Sequence, residues 1–132
     1  MSDHRIRFRL GWELVGQGVI SRFSLPTRWP IDLPDQIRLI RRFGRPRRQT
    51  SEESYQLELL KVPGLVEVRL NGRVMARKSE KNESELVLLD VPLLDRNTLE
   101  IEVDFPQVRA SSQLEDWGEI ALLIVSGSAS AN

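Results

Sequence analysis

The chain has 132 residues, 40% of them hydrophobic and 29% charged, with a formal net charge of zero and no cysteine. Such a length suits one domain that buries roughly two-thirds of its unfolded surface in one core. The lack of cysteine excludes disulfide staples, thiolate nucleophiles and cysteine-ligated metal centres, and no apolar run is long enough for a signal peptide or a membrane span, so a soluble cytoplasmic protein with no membrane partner is expected.

The neutral total hides an uneven distribution. Residues 1–50 carry eleven arginines against four acids, a balance of +7, and residues 51–132 carry eight basic side chains against fifteen acids, a balance of −7. Basic strands of the first half can pair with acidic strands of the second across a sheet. The competing reading is a basic patch for an anionic ligand.

In chain order, period-two alternation dominates, the mark of strands with one buried face. Ile6, Phe8 and Leu10 alternate with Arg5, Arg7 and Arg9. Gly16-Gln17-Gly18 lacks the third glycine and following helix of a phosphate loop and reads as a hairpin turn. Pro26, Pro30 and Pro34 then frame a loop, and Gly44 and Pro46 close the strand that precedes a polar stretch over 45–53, read as an exposed loop. Leu57 and Leu59 flank Glu58, and Val66, Val68 and Leu70 alternate with Glu67 and Arg69. Asn71-Gly72, between this run and residues 74–76, predicts a type I′ hairpin, because both residues tolerate positive φ. The charged stretch 78–84 reads as a second exposed loop. Residues 86–89 and 120–125 are continuous apolar runs suited to central strands, whereas Leu99, Ile101 and Val103 alternate with Glu100, Glu102 and Asp104. Single helical turns are expected at most over 32–36 and 92–96. The pattern predicts an all-β, antiparallel sandwich of eight or nine strands over residues 1–126, with 127–132 a flexible tail.

Catalytic chemistry finds little support. His4 is the single imidazole, close to the N-terminus, which leaves no nucleophilic triad and few metal ligands. Glycoside hydrolysis needs two convergent carboxyl groups. Glu52-Glu53 and Glu115-Asp116 are adjacent in sequence, and neighbours on an extended strand point to opposite faces. A non-enzyme without cofactor or metal is therefore expected. The arginines Arg38, Arg41, Arg42, Arg45, Arg47 and Arg48 form the candidate anionic patch, but Phe43 alone among aromatics lies within it, which argues against a nucleic-acid partner. Trp12, Trp29 and Trp117 offer broad apolar faces with one donor each, suited either to core packing or to stacking on sugar C–H groups; Trp29 and Trp117, near loops, are the candidates for ligand contact.

The order of these pieces resembles the N-terminal sugar-binding domain of the β-galactosidase and β-glucuronidase family of glycoside hydrolases. The resemblance runs over residues 20–125: Leu25-Pro26 and Trp29 in a loop, Arg41-Arg42-Phe43 ending a strand, the hairpin at Asn71-Gly72, the strand Asn97-Thr98-Leu99-Glu100-Ile101-Glu102-Val103, and Trp117-Gly118-Glu119-Ile120 opening the last strand. It implies a jelly-roll, galactose-binding-like sandwich standing alone, without the family's separate catalytic barrel. It also implies a carbohydrate partner, with Asn71 and Asp116 joining Trp29 and Trp117 as ligand residues. Read from the residues alone, a protein–protein scaffold remains open as the alternative, as a homodimer whose oppositely charged halves meet in trans.

Overall fold

The computed structural model describes residues 4–29, 33–46, 53–77, 85–89, 91–110 and 116–126. Among them the chain forms β1 (His4–Arg7), β2 (Trp12–Gly16), β3 (Val19–Phe23), β4 (Gln36–Gly44), β5 (Glu53–Leu60), β6 (Leu65–Leu70), β7 (Arg73–Arg77), β8 (Glu85–Leu89), β9 (Arg96–Asp104), α1 (Phe105–Ala110) and β10 (Glu119–Ser126). The strands build a four-stranded sheet, ordered β1-β10-β5-β8, and a six-stranded sheet, ordered β3-β2-β4-β9-β6-β7. Every named pairing is antiparallel. The β-sandwich expected from the alternation is the observed architecture.

Register explains the core. Leu14, Leu39, Ile101 and Val68 stand opposite one another across β2, β4, β9 and β6. Leu122, Leu57 and Val87 do the same across β10, β5 and β8. All seven are buried in one hydrophobic cluster, where each such side chain contributes roughly 1.5–3 kcal/mol by leaving water. Both predicted tight turns are present. Gln17 and Gly18 have φ of 52° and 82°, Asn71 and Gly72 have φ of 53° and 83°, and the consecutive positive values are those a type I′ hairpin demands.

Several details depart from expectation. There are ten strands among the described residues rather than eight or nine. β1 stops at Arg7, and Leu10 is 73% exposed while Phe8 is buried. β1 is an edge strand with one neighbour, and all four of its residues are exposed. Residues 86–89 belong to the other edge, β8, and Leu86 and Leu88 are 60% and 58% exposed; an apolar run by itself does not separate a central strand from an edge. No helical turn forms over 92–94, where the chain is irregular. The helix falls instead at α1, with Pro106 in its first turn, where a missing N–H costs nothing, and with Phe105 and Val108 turned into the core. Asp32, the stretches 47–52 and 78–84, and the tail 127–132 lie outside the described residues.

The charge asymmetry resolves on the outer face of the six-stranded sheet. Arg42 reaches Glu13 at 2.9 Å, Arg38 reaches Glu100 at 3.5 Å, and Arg69 contacts Glu67 and, at 3.8 Å, Glu102. Basic β4 therefore lies between an acid of β2, from its own half of the sequence, and acids of β9, from the other half, and Arg38–Glu100 is the contact that the pairing reading anticipated. This pair joins the two halves within one chain.

Candidate functional site

A cleft of 220 Å³ opens beside β1. Its floor is apolar: Phe8, Leu25 and Ile120 are nearly fully buried beneath it, with Pro26 on its margin. Its rim is charged, carrying Arg5, Arg7, Arg9 and Lys61 on one hand and Asp116 and Glu119 on the other.

The local sequence fixes this geometry through backbone bonds that tie four segments together. Phe8 N–H donates to the Ile120 carbonyl at 2.8 Å, which continues the β1–β10 ladder past the end of β1. Leu25 N–H donates to the Arg9 carbonyl at 2.8 Å, and Gly118 N–H to the Lys61 carbonyl at 2.8 Å. Thr27 and Trp117 exchange both bonds, at 3.0 and 2.9 Å. Gly118 has φ of 88°, and a Cβ there would stand 3.2 Å from a Leu25 methyl, so a glycine lets the two loops close. A cleft walled by hydrogen-bonded backbone is set before any ligand arrives.

Arg5, Arg7 and Arg9 all reach this cleft, the first two from β1 and the third from the segment that follows it. Their partners differ. Arg5 is held by Glu58 at 2.6 Å, and Lys61 lies 3.7 Å from Glu119. Arg7 and Arg9 make no ion pair or side-chain hydrogen bond among the described residues. The sequence already displayed this signal as the Arg-x-Arg-x-Arg alternation, read there for its apolar phase alone.

Of the four ligand residues the sequence suggested, Asp116 alone lines the cleft. The two tryptophans are corrections. Trp29 and Trp117 are buried, with ring centroids 5.5 Å apart in an edge-to-face arrangement. Trp29 also packs on Phe23 and Phe105 at 5.6 and 6.3 Å, so neither ring offers a face to a sugar. The physical cause is scarcity: a sandwich with eight aromatics in all uses its largest rings to fill the space between sheets. Trp12 is likewise interior, its Nε1 donating to the Phe8 carbonyl at 2.7 Å. Asn71 is not among the cleft residues; its Nδ2 donates to Asn97 Oδ1 at 3.1 Å and its Oδ1 accepts from Thr98 N–H at 2.8 Å, which makes it a clamp between the β6–β7 turn and β9.

The described arginines of the 38–48 patch are each engaged within the chain. Arg38, Arg42 and Arg45 pair with Glu100, Glu13 and Asp95. Arg41 turns inward: Nε donates to the Leu10 carbonyl at 2.8 Å, Nη1 to the Arg42 carbonyl at 3.3 Å, and the guanidinium lies 4.3 Å above the Phe8 ring. Burial holds its pKa below the ordinary arginine value. Arg47 and Arg48 lie outside the described residues, as do Glu52 and Glu115 of the carboxylate pairs. A second hollow, of 630 Å³, lies between the Gln17 turn and β9, but its cation, Arg38, belongs to the paired ladder. Among the described residues no group of three His, Cys, Asp or Glu side chains converges as a metal site, and no helix is long and apolar enough to cross a membrane.

No family model and no curated protein matches the chain. Solved structures do. An FMN-binding β-glucuronidase from Faecalibacterium prausnitzii L2-6 superposes with a TM-score of 0.75 at 19% identity, over 94% of this chain and 23% of that one. A β-glycosidase from Bacteroides vulgatus superposes with a TM-score of 0.68 at 18% identity, over 93% of this chain and 20% of that one. The shared feature is the fold, an antiparallel β-sandwich of the kind these large enzymes carry as one part. This chain spans about a fifth of their length.

Proposed function

We propose that the chain is a non-catalytic carbohydrate-binding module of the jelly-roll type, with its ligand seat in the cleft between β1, the Leu25-Pro26 segment and the start of β10. The observation that carries this reading is the combination of a buried apolar floor with a rim of hydrogen-bonding groups, held by backbone bonds, on a sandwich shared with sugar-processing enzymes. At 220 Å³ the cleft is smaller than the roughly 300–1,000 Å³ of pockets that enclose drug-sized ligands, so it suits a single pyranose ring. The apolar floor takes the C–H face of that ring, and Asp116 accepts from its hydroxyls. Trp117 supports the site from beneath through its backbone exchange with Thr27.

Isothermal titration of the chain against neutral and acidic monosaccharides tests the module directly. Binding that weakens about tenfold or more in Asp116→Ala, with unfolding unchanged, is the expected outcome. Silence across the whole panel ends the reading.

A second reading has one observation in its favour. Leu86 and Leu88 project from the edge strand β8, an arrangement that natural edges usually blunt. An interaction module using this edge predicts self-association at high concentration, lost in Leu88→Lys. A monomer throughout, by sedimentation, removes it.

A further inference from the structure

Six arginines of the described residues already have acids. Arg5, Arg38, Arg42, Arg45, Arg69 and Arg77 each lie within 4 Å of a carboxylate. Arg7 and Arg9 have no such carboxylate among the described residues, and both line one concavity. With Arg5 balanced by Glu58 and Lys61 facing Glu119, the cleft's described residues leave two guanidinium groups without an acid against one carboxylate without a base, Asp116. A chain of zero net charge thus keeps a local positive excess over an apolar floor.

That arrangement has a direction. Unpaired cations beside low-dielectric walls attract anions more strongly than cations on an open surface. Guanidinium forks match the planar, two-oxygen geometry of a carboxylate, and charge-assisted bonds of this kind are the strong ones. The buried side chains beneath favour a ligand with an apolar face, which a bare inorganic anion lacks. We infer that the cleft selects an acidic sugar: a hexuronate whose carboxylate lies between Arg7 and Arg9 while its ring covers Leu25 and Pro26. The inference rests on the reading of this cleft as a saccharide seat and adds the charge of the sugar it takes. Asp116 then serves selection as well as binding, because it rejects a second anion on the far side of the ring and accepts from hydroxyls on the near side.

The test uses matched pairs. Methyl galacturonoside and methyl glucuronoside are titrated beside the neutral methyl hexosides of the same configuration, glucose 6-sulfate, inorganic sulfate and a short oligothymidylate, at 50 and 500 mM NaCl. The expected result is at least tenfold preference for the uronosides over their neutral partners, with affinity falling at the higher salt. Arg7→Gln with Arg9→Gln removes that preference and leaves any neutral-sugar affinity, while Arg9→Lys retains part of it. Arg22→Gln, which removes an arginine of β3 away from the cleft, changes nothing. Both cleft arginines are exposed, and equal melting temperatures of the variants confirm that folding is intact. Equal binding of neutral and acidic sugars overturns the selection and spares the saccharide seat. Stronger binding of glucose 6-sulfate than of the uronosides overturns the carboxylate in favour of a sulfate ester. Binding of inorganic sulfate or the oligonucleotide without any sugar overturns both readings, as does no binding at all.

Discussion

Trp29 and Trp117 are packed against each other and equally hidden from solvent, yet their indole nitrogens are treated differently. Trp117 Nε1 donates to the Pro63 carbonyl at 2.9 Å, whereas Trp29 Nε1 has no acceptor among the described residues. Trp117→Phe therefore strips a buried carbonyl of its donor, while Trp29→Phe removes a donor with nothing to lose. The expected difference is about 1–3 kcal/mol in favour of Trp29→Phe, read from urea midpoints with unchanged slopes. Asn97, a buried polar side chain, poses a sharper case. Its Oδ1 accepts from Leu94 N–H and Asn71 Nδ2, and its Nδ2 donates to the Leu94 and Phe43 carbonyls. Asn97→Asp keeps the shape but turns a carboxylate oxygen toward two carbonyls. It should destabilise by at least as much as Asn97→Ala, about 2 kcal/mol or more, and an aspartate variant of near wild-type stability in thermal unfolding contradicts this network. At this scale the sequence was a partial guide. It identified Asp116 and the tryptophans as notable, but whether an indole faces solvent or core depends on the opposing sheet, and the acids that engage Arg42 and Arg45 stand 29 and 50 positions away.

Elements were legible where their cause is local. Asn71-Gly72 fixes its hairpin by the φ angles that those residues allow, and the alternation in β9 fixes which face is buried, since both signals lie within a few residues. The edge position of β8 and the existence of α1 were not legible. Edge or centre is decided by which strands pair, and a six-residue helix burying Phe105 and Val108 is too short for its period to register. What holds α1 is the glycine turn before β6. Gly64 has φ of 82°, its carbonyl accepts from Asp104 N–H at 2.7 Å, and a Cβ at this position would lie 2.6 Å from the Asp104 carbonyl oxygen and 2.7 Å from a Val108 methyl. One contact is with backbone, which has no rotamer to yield. Gly64→Ala combines a left-handed penalty of about 1–2 kcal/mol with that clash and should cost about 3 kcal/mol or more. Gly72→Ala carries the same φ penalty with nothing within 4 Å, so the difference between the two melting temperatures isolates the packing of α1. Equal losses would show that the helix can move aside.

For the whole molecule, the opposed charges of the two halves do two different things. On the outer face of the six-stranded sheet they cancel between neighbouring strands, and each exposed pair contributes only about 0–1 kcal/mol. Beside β1 they cancel at Arg5–Glu58, while Arg7 and Arg9 have no acid among the described residues. Stability and ligand binding should therefore answer differently to salt: raising NaCl from 50 to 500 mM screens exposed pairs whose worth is small, and the melting temperature should move by no more than about 3–4 °C. The ladder becomes visible only when its sign is broken. Glu100→Lys with Glu102→Lys, two reversals of two charges each, takes the formal net charge from 0 to +4 and sets lysines beside Arg38 and Arg69. Like charges directly opposite in a sheet repel, so at 50 mM NaCl this variant should melt several degrees below wild type, about 5 °C or more, and recover much of the loss at 500 mM. A loss that salt leaves untouched would mean that the two glutamates act through packing on β9 rather than through charge, and that the complementarity of the halves is incidental to holding the sheet together.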